Sequence, residues 1–437
     1  MKKFLAIALM LALVVVSCKK PEPEVKDSIS LNTTSWTAPY EGESLTLTVT
    51  ASGDFKGEPD VAWITVSGAK VTVAENTAYE SRSGKVTFTC GTASAVLTVN
   101  QDAAPKPKVY TELAGPANCY MVSTGGDYKI KATVIGNGDA GLHSTFPITS
   151  TAISPAGAAL VWQEVEDLIT DVKLQDGYIC FTCANKDGNA VVAATASDGT
   201  ILWSWHIWSA EAPVDVVCSE NWTLMDRNLG AFATGPDEDA RGLYYQWGRK
   251  DPFSRVLAFD TGAGEGWYHP CVGNEGDKEN ATIHSIEYSI AHPIEYIGAS
   301  TNSNGWLLEK GQSFLWGLGG HGHPDPMIKT IFDPCPKGYA VAHCDCLGEG
   351  WGDGGAENAD HSMSLFGGKI TVPGCSFIYN SGYNWWDGVD GKYPCLWTAA
   401  AASWVDLEQS FRLVPGDAHM YYERACGQPV RCMKWAE

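Results

Sequence analysis

The sequence predicts a mainly β, multidomain protein. Three observations carry this. Short runs alternate apolar and polar residues with period two, as in Leu45-Thr46-Leu47-Thr48-Val49, the pattern of half-buried strands. Gly 46 and Pro 22 punctuate those runs and leave little room for long helices. Hydrophobic residues at 44% against charged residues at 19% mark globular material, and 437 residues suffice for roughly three domains at about 150 residues each. The balance of 30 basic and 51 acidic side chains, a net charge of −21, argues against nucleic acid or an anionic membrane surface as partner.

The first element is an address. Lys2 and Lys3 precede an apolar run, Phe4 to Val16, shorter than the about 20 residues a spanning helix needs but suited to the core of a signal peptide. Val15-Val16-Ser17-Cys18 resembles a lipobox, with residues 1–17 as signal peptide and Cys18 as the lipidated first residue of the mature chain. Residues 18–27, beginning Cys18-Lys19-Lys20-Pro21-Glu22-Pro23-Glu24, read as an extended tether whose acidic residues resemble surface-export signals of Bacteroidetes lipoproteins. The expectation is an outer-membrane, cell-surface protein held to the membrane by a lipid anchor only.

The 14 cysteines belong to an oxidising compartment on that reading. With Cys18 lipidated the remainder is odd, and Cys90, alternating with Val86 and Phe88, is the expected buried orphan. Cys180-Phe181-Thr182-Cys183 looks like a redox motif. It lies in a strand-like run, however, where an offset of three sends the sulfurs to opposite faces.

Residues 28–102 alternate with turns every eight to twelve residues or so, the signature of an immunoglobulin-type β-sandwich. Val61-Ala62-Trp63-Ile64-Thr65-Val66-Ser67, Glu75-Asn76, Arg82-Ser83-Gly84-Lys85-Val86-Thr87-Phe88 and Val99-Asn100-Gln101 resemble a BACON domain, a Bacteroidetes-associated family named for a proposed role in carbohydrate binding. Trp63, beside Val61 and Ile64, is expected to pack rather than to meet a ligand.

A proline linker, residues 103–108, leads to a second β-rich segment at 110–213. There Tyr128, Ile130, Ala132 and Val134 alternate, and Ile201 to Trp208 carries aromatic residues on both faces, as a central strand would. His206 shares a face with Leu202 and Trp208 and reads as a core histidine. The third segment, 214–437, contains Trp222-Thr223-Leu224-Met225-Asp226-Arg227-Asn228-Leu229-Gly230, Gly242-Leu243-Tyr244-Tyr245-Gln246-Trp247-Gly248, Asp333-Pro334-Cys335-Pro336-Lys337-Gly338-Tyr339, Tyr393-Pro394-Cys395-Leu396-Trp397-Thr398 and Pro429-Val430-Arg431-Cys432. These blocks resemble the Fibrobacter succinogenes major paralogous domain, whose relatives have a C-type-lectin-like or sulfatase-modifying-factor-like α+β fold. The resemblance implies a disulfide between Cys335 and Cys432. His343-Cys344-Asp345-Cys346-Leu347-Gly348-Glu349-Gly350-Trp351 departs from the family pattern and predicts an inserted, disulfide-laced loop in place of a first helix.

For chemistry, no nucleophile elbow, HExxH, P-loop or dinucleotide fingerprint is present, so a non-enzymatic protein without a cofactor is expected. A sulfatase-modifying-factor-like oxidase is the enzymatic alternative, although nothing selects a cysteine pair for it. His321-Gly322-His323-Pro324-Asp325 and His343-Cys344-Asp345-Cys346 offer zinc-type ligands without the usual CxxC spacing, and no metal is assigned. The loop Tyr383-Asn384-Trp385-Trp386-Asp387-Gly388-Val389-Asp390 is the expected carbohydrate site. Tyr383, Trp385 and Trp386 offer faces for stacking on sugar C–H groups, while Asn384, Asp387 and Asp390 offer polar groups for the hydroxyls. The expected function is binding of glycans or glycoproteins at the cell surface. An adhesin or fimbria-associated subunit is the structural alternative.

Overall fold

The computed structural model describes residues 26–253, 272–273, 283–298, 305–308, 312, 314–317, 328–375, 377–378, 384–385, 394–401 and 409–435. The signal peptide and Cys18 lie outside the described residues. The chain divides into two compact units after Lys108.

The first unit is a β-sandwich. One sheet runs in the order Ser35–Ala38, Ala93–Gln101, Arg82–Cys90, Lys56–Pro59, and the other in the order Ser44–Thr46, Lys70–Val73, Ile64–Ser67. Between them lie Leu47, Ile64, Val71, Val73, Val86, Phe88, Leu97 and Val99, all buried. Cys90 is a buried thiol in line with Val86 and Phe88. The alternating run 45–49 is two strands rather than one. Ser44–Thr46 pairs with Lys70–Val73, and Val49–Ala51 pairs with Ile29–Leu31. The chain changes partner at Leu47-Thr48, where Thr48 N–H donates to Asn32 Oδ1 (2.9 Å) and so needs no strand neighbour. Asp27, expected at the end of the tether, belongs to the sandwich: its carboxylate accepts from Thr92 N–H at 2.7 Å and from the Thr92 hydroxyl at 3.1 Å.

The second unit contains everything from Val109 onward. Two four-stranded sheets open it. One has the order Thr111–Glu112, Gly126–Lys131, Tyr178–Cys183, Ile169–Gln175, and the other Cys119–Val122, Ile201–Ser209, Gly188–Thr195, Gly157–Gln163. Ile201–Ser209 is central, and Trp203, Trp205 and Trp208 along it are each about 1% exposed. Cys180 and Cys183 are buried thiols on Tyr178–Cys183, and only Cys183 joins the principal core cluster.

The boundary expected near residue 213 does not separate two cores. A single hydrophobic cluster runs from Cys119 to Cys432. The reason lies in the 201–209 strand, whose aromatic load leaves it no solvent face. Phe332 covers Trp203 with ring centroids 5.9 Å apart, and the Trp208 indole N–H donates to the Ala231 carbonyl at 3.1 Å. Gly136 permits the closest approach. It has φ +53°, and a Cβ there would sit 2.3 Å from the Ile331 carbonyl oxygen.

The remainder builds further sheets, including Asp215–Val217, Thr223–Asn228, Arg431–Lys434, Tyr339–Val341, and Leu396–Ala401, Gln409–Val414, Asp417–Glu423. Arg431–Lys434 is thus an inner strand, and Cys432 on it is disulfide-bonded to Cys335, with Cα atoms 6.0 Å apart and a sequence separation of 97. The segment 343–351 corrects the sequence expectation. Cys344–Gly352 is a helix, and Cys344 and Cys346 are buried thiols rather than disulfide partners. The helix forms because His343 caps it: Nδ1 accepts the Asp345 N–H at 3.2 Å, and Asp345 places an acidic group in the first turn.

Candidate functional site

Of the residues expected to bind carbohydrate, Asn384 and Trp385 fall at a sheet edge. Asn384–Trp385 pairs antiparallel with Phe377–Ile378, with Phe377 opposite Trp385 and Ile378 opposite Asn384. The sheet order is Tyr244–Gln246, Gly427–Pro429, Phe377–Ile378, Asn384–Trp385, so the Asn384–Trp385 strand is its last member. Tyr383, Trp386, Asp387 and Asp390 lie outside the described residues, as do His321, His323 and Asp325.

Buried polar groups bond around the opposite edge of that sheet, at Tyr244–Gln246. Gln246 Nε2 donates to the carbonyls of Ile297 (2.7 Å) and Ala425 (2.8 Å), while its Oε1 accepts from Arg249 at 3.0 Å. Arg249 also donates to the Glu295 and His292 carbonyls (2.6 and 3.1 Å). The indoles are anchored in the same way. Trp247 donates to the Thr398 carbonyl at 3.0 Å, Trp397 to that of Tyr245 at 2.9 Å, and Trp306 to that of Trp247 at 2.8 Å. These bonds satisfy groups that would be costly to bury alone. The aromatic wealth of the unit is therefore mostly core. Among the described residues whose side chains are placed, no tryptophan is exposed.

The blocks that carried the sequence resemblances are scaffolding too. In the first unit, Gln101 Nε2 donates to the carbonyls of Pro39 (3.0 Å) and Ala74 (2.9 Å), and its Oε1 accepts from Arg82 Nε at 2.9 Å. Asn76 donates to the Asp102 carbonyl at 2.8 Å. The Arg82 guanidinium covers Trp63 at 4.4 Å from the ring centroid, so Trp63 is half-buried packing at the end of the sandwich. In the second unit, the segment 333–339 wraps around the Lys329 ammonium, which donates to the carbonyls of Cys335, Pro336 and Tyr339 at 2.9, 2.8 and 2.6 Å. Asp333 accepts from the N–H groups of Cys335 (2.8 Å) and Val341 (2.9 Å), and burial raises its carboxyl to about 6.

The structure also assembles metal-type ligands. His343 Nδ1 is 3.7 Å from Cys344 Sγ and 3.3 Å from Asp345 Oδ2, and Cys344 Sγ is 3.8 Å from Asp345 Oδ1. Cys346, grouped with these in the sequence, belongs instead to a hydrophobic cluster with Cys218 and Leu347. His419 lies beside the group, with Nε2 3.8 Å from Asp345 Oδ1. Sequence reading missed His419 because only the packing of Asp417–Glu423 along the Cys344–Gly352 helix brings it there. Burial, followed by the neighbouring Asp345 carboxylate, pushes the Cys344 thiol well above the usual thiol range.

Comparison with known proteins bears on the first unit. Residues 52–102 match a family model described as "BACON: Putative binding domain, N-terminal". No curated protein matches the chain. Among solved structures, a Bacteroides ovatus GH5 xyloglucanase in complex with a XXXG heptasaccharide is similar at 20% identity over 21% of this chain and 22% of that one, with a TM-score of 0.17. The chain thus spans about a fifth of the xyloglucanase's length. A protein from Bacteroides thetaiotaomicron, solved by NMR, is similar at 18% identity over 20% of this chain and 99% of its own, with a TM-score of 0.16. A chimeric titin Z1Z2 is similar at 13% identity over 42% of this chain and 96% of its own, with a TM-score of 0.18. The BACON match is consistent with a binding role for this protein.

Proposed function

We propose that this is a lipid-anchored lipoprotein of the outer-membrane surface that binds glycans or glycoproteins without catalysing their turnover. The observation that carries this reading is the binding-domain match at residues 52–102, on a chain whose start has the order of a lipoprotein signal, ending in Ser17-Cys18. The C-terminal residues are read as a lectin-like α+β domain, and the Tyr383–Asp390 loop as the contact. Its described members, Asn384 and Trp385, form the last strand of the sheet that begins with Tyr244–Gln246. Loops mounted on rigid sheets are where binding residues concentrate. A flat indole stacks on the C–H face of a sugar ring while adjacent carboxylates accept from its hydroxyls.

The test is a glycan array probed with the full mature chain, followed by Trp385→Ala and Trp386→Ala on any glycan bound. The expected result is loss of binding with an unchanged melting temperature. If both variants unfold the second unit, these residues are core and the site assignment fails. If the wild-type chain binds no glycan, the functional reading fails.

A further inference from the structure

We propose that His343, Cys344 and Asp345, with His419 beside Asp345, form a site for a zinc-class divalent transition ion. The donor set is one thiol, two imidazoles and one carboxylate, the mixture that such ions take and that calcium or magnesium does not.

Three consecutive residues do not ordinarily converge, because successive side chains on a helix point about 100° apart. Here they converge because His343 is the cap residue, with extended backbone (φ −73°, ψ 155°), and the helix begins only at Cys344. The resulting spacings are those of a coordination polyhedron. A tetrahedral ion with N and O ligands near 2.05 Å and S near 2.3 Å needs ligand-to-ligand edges of about 3.3 Å between N and O and about 3.6 Å to S. The edges found are 3.3 Å from His343 Nδ1 to Asp345 Oδ2, 3.7 Å from Nδ1 to Cys344 Sγ, and 3.8 Å from Sγ to Asp345 Oδ1. The ligand atoms of these three residues all lie within 4.8 Å of one another.

His419 approaches from a different element. Gly348, one turn along the helix from Asp345, makes the space: a Cβ there would sit 3.3 Å from His419 Cε1. The site is also accessible. Cys344 and His343 form its buried side, whereas the side chains of Asp345 and His419 are 49% and 33% exposed; His419 Nε2 is itself buried, so the entry path lies beside Asp345. Binding at His343 Nδ1 would replace the cap bond from Asp345 N–H with a metal bond, and coordination by Cys344 as thiolate would release its proton to solvent.

This inference does not depend on the glycan reading, and its test needs no glycan. The full mature chain, freed of metal by chelation and kept reduced, is titrated with Co(II). One equivalent should produce a near-ultraviolet sulfur-to-cobalt charge-transfer band and the strong visible bands of tetrahedral Co(II), and Zn(II) should displace both. Cys344→Ser should abolish the charge-transfer band. Asp345→Asn and His419→Ala, on the partly exposed side, should each weaken binding by about 10-fold or more while the metal-free variants keep the far-ultraviolet circular dichroism of the wild type. Absence of the band in the wild type, its persistence in Cys344→Ser, or unchanged affinity in either exposed-side variant overturns the site.

Discussion

Asn118 is the residue whose loss tests most directly that residues 109–437 fold as one body. It is about 1% exposed, and its side chain joins the opening β-sandwich to the later segment. Nδ2 donates to the carbonyls of Ile331 (2.7 Å) and Asp333 (2.8 Å), and Oδ1 accepts from the Trp203 indole at 3.0 Å. Asn118→Ala removes all three bonds. At roughly 1 kcal/mol net for each, the loss is about 3 kcal/mol, and it rises toward about 5 kcal/mol if two of the abandoned groups stay dry. The Asp333 carbonyl retains a donor in Asn137 Nδ2 at 3.2 Å, so the groups left stranded are the Trp203 N–H and the Ile331 carbonyl. At an unfolding entropy of about 2.1 cal/mol/K per residue over the 329 residues of this unit, 3 kcal/mol lowers the melting temperature by about 4 °C. Urea unfolding followed by tryptophan fluorescence and near-ultraviolet circular dichroism measures the free energy, and thermal unfolding with the same probes measures the melting temperature. A single transition of the second unit, displaced as a whole, is expected. A shift below about 1 kcal/mol, or two resolved transitions of which only one moves, refutes the reasoning.

Three further outcomes are expected. Replacing Cys335 and Cys432 together with Ala opens a loop of 97 residues and should cost up to about 4.7 kcal/mol, read as a lower urea midpoint; a midpoint equal to wild type counts against the bridge. Burial holds His206 down to about 3, so the folded chain keeps it neutral while the unfolded chain protonates below about 6.5. Its contribution is therefore full above that pH and falls by about 1.4 kcal/mol per pH unit below it, toward pH 3. His206→Gln should flatten this slope between pH 7 and 5, and an identical slope in the variant contradicts the assignment. Labelling with a palmitate analogue should mark the wild-type chain and not Cys18→Ala, and equal labelling of both excludes lipidation at Cys18.

The local pattern of the sequence carried the β-sandwich of the first unit, because period-two burial is a property of neighbouring residues: Val86, Phe88 and Cys90 read as one buried face and are one. The same logic marked 201–208 as a central strand, since aromatic residues on both faces leave no side for water. What covers the second face is not a local property. Only tertiary structure sets Phe332 on Trp203 and merges two expected domains into one core. The helix at Cys344–Gly352 escaped because its cap is a histidine, a residue absent from the usual cap preferences. His419 escaped because strand packing, not sequence spacing, brings it to Asp345. Alternation specifies which face of an element is buried; which distant side chains meet there is decided when those faces close on one another.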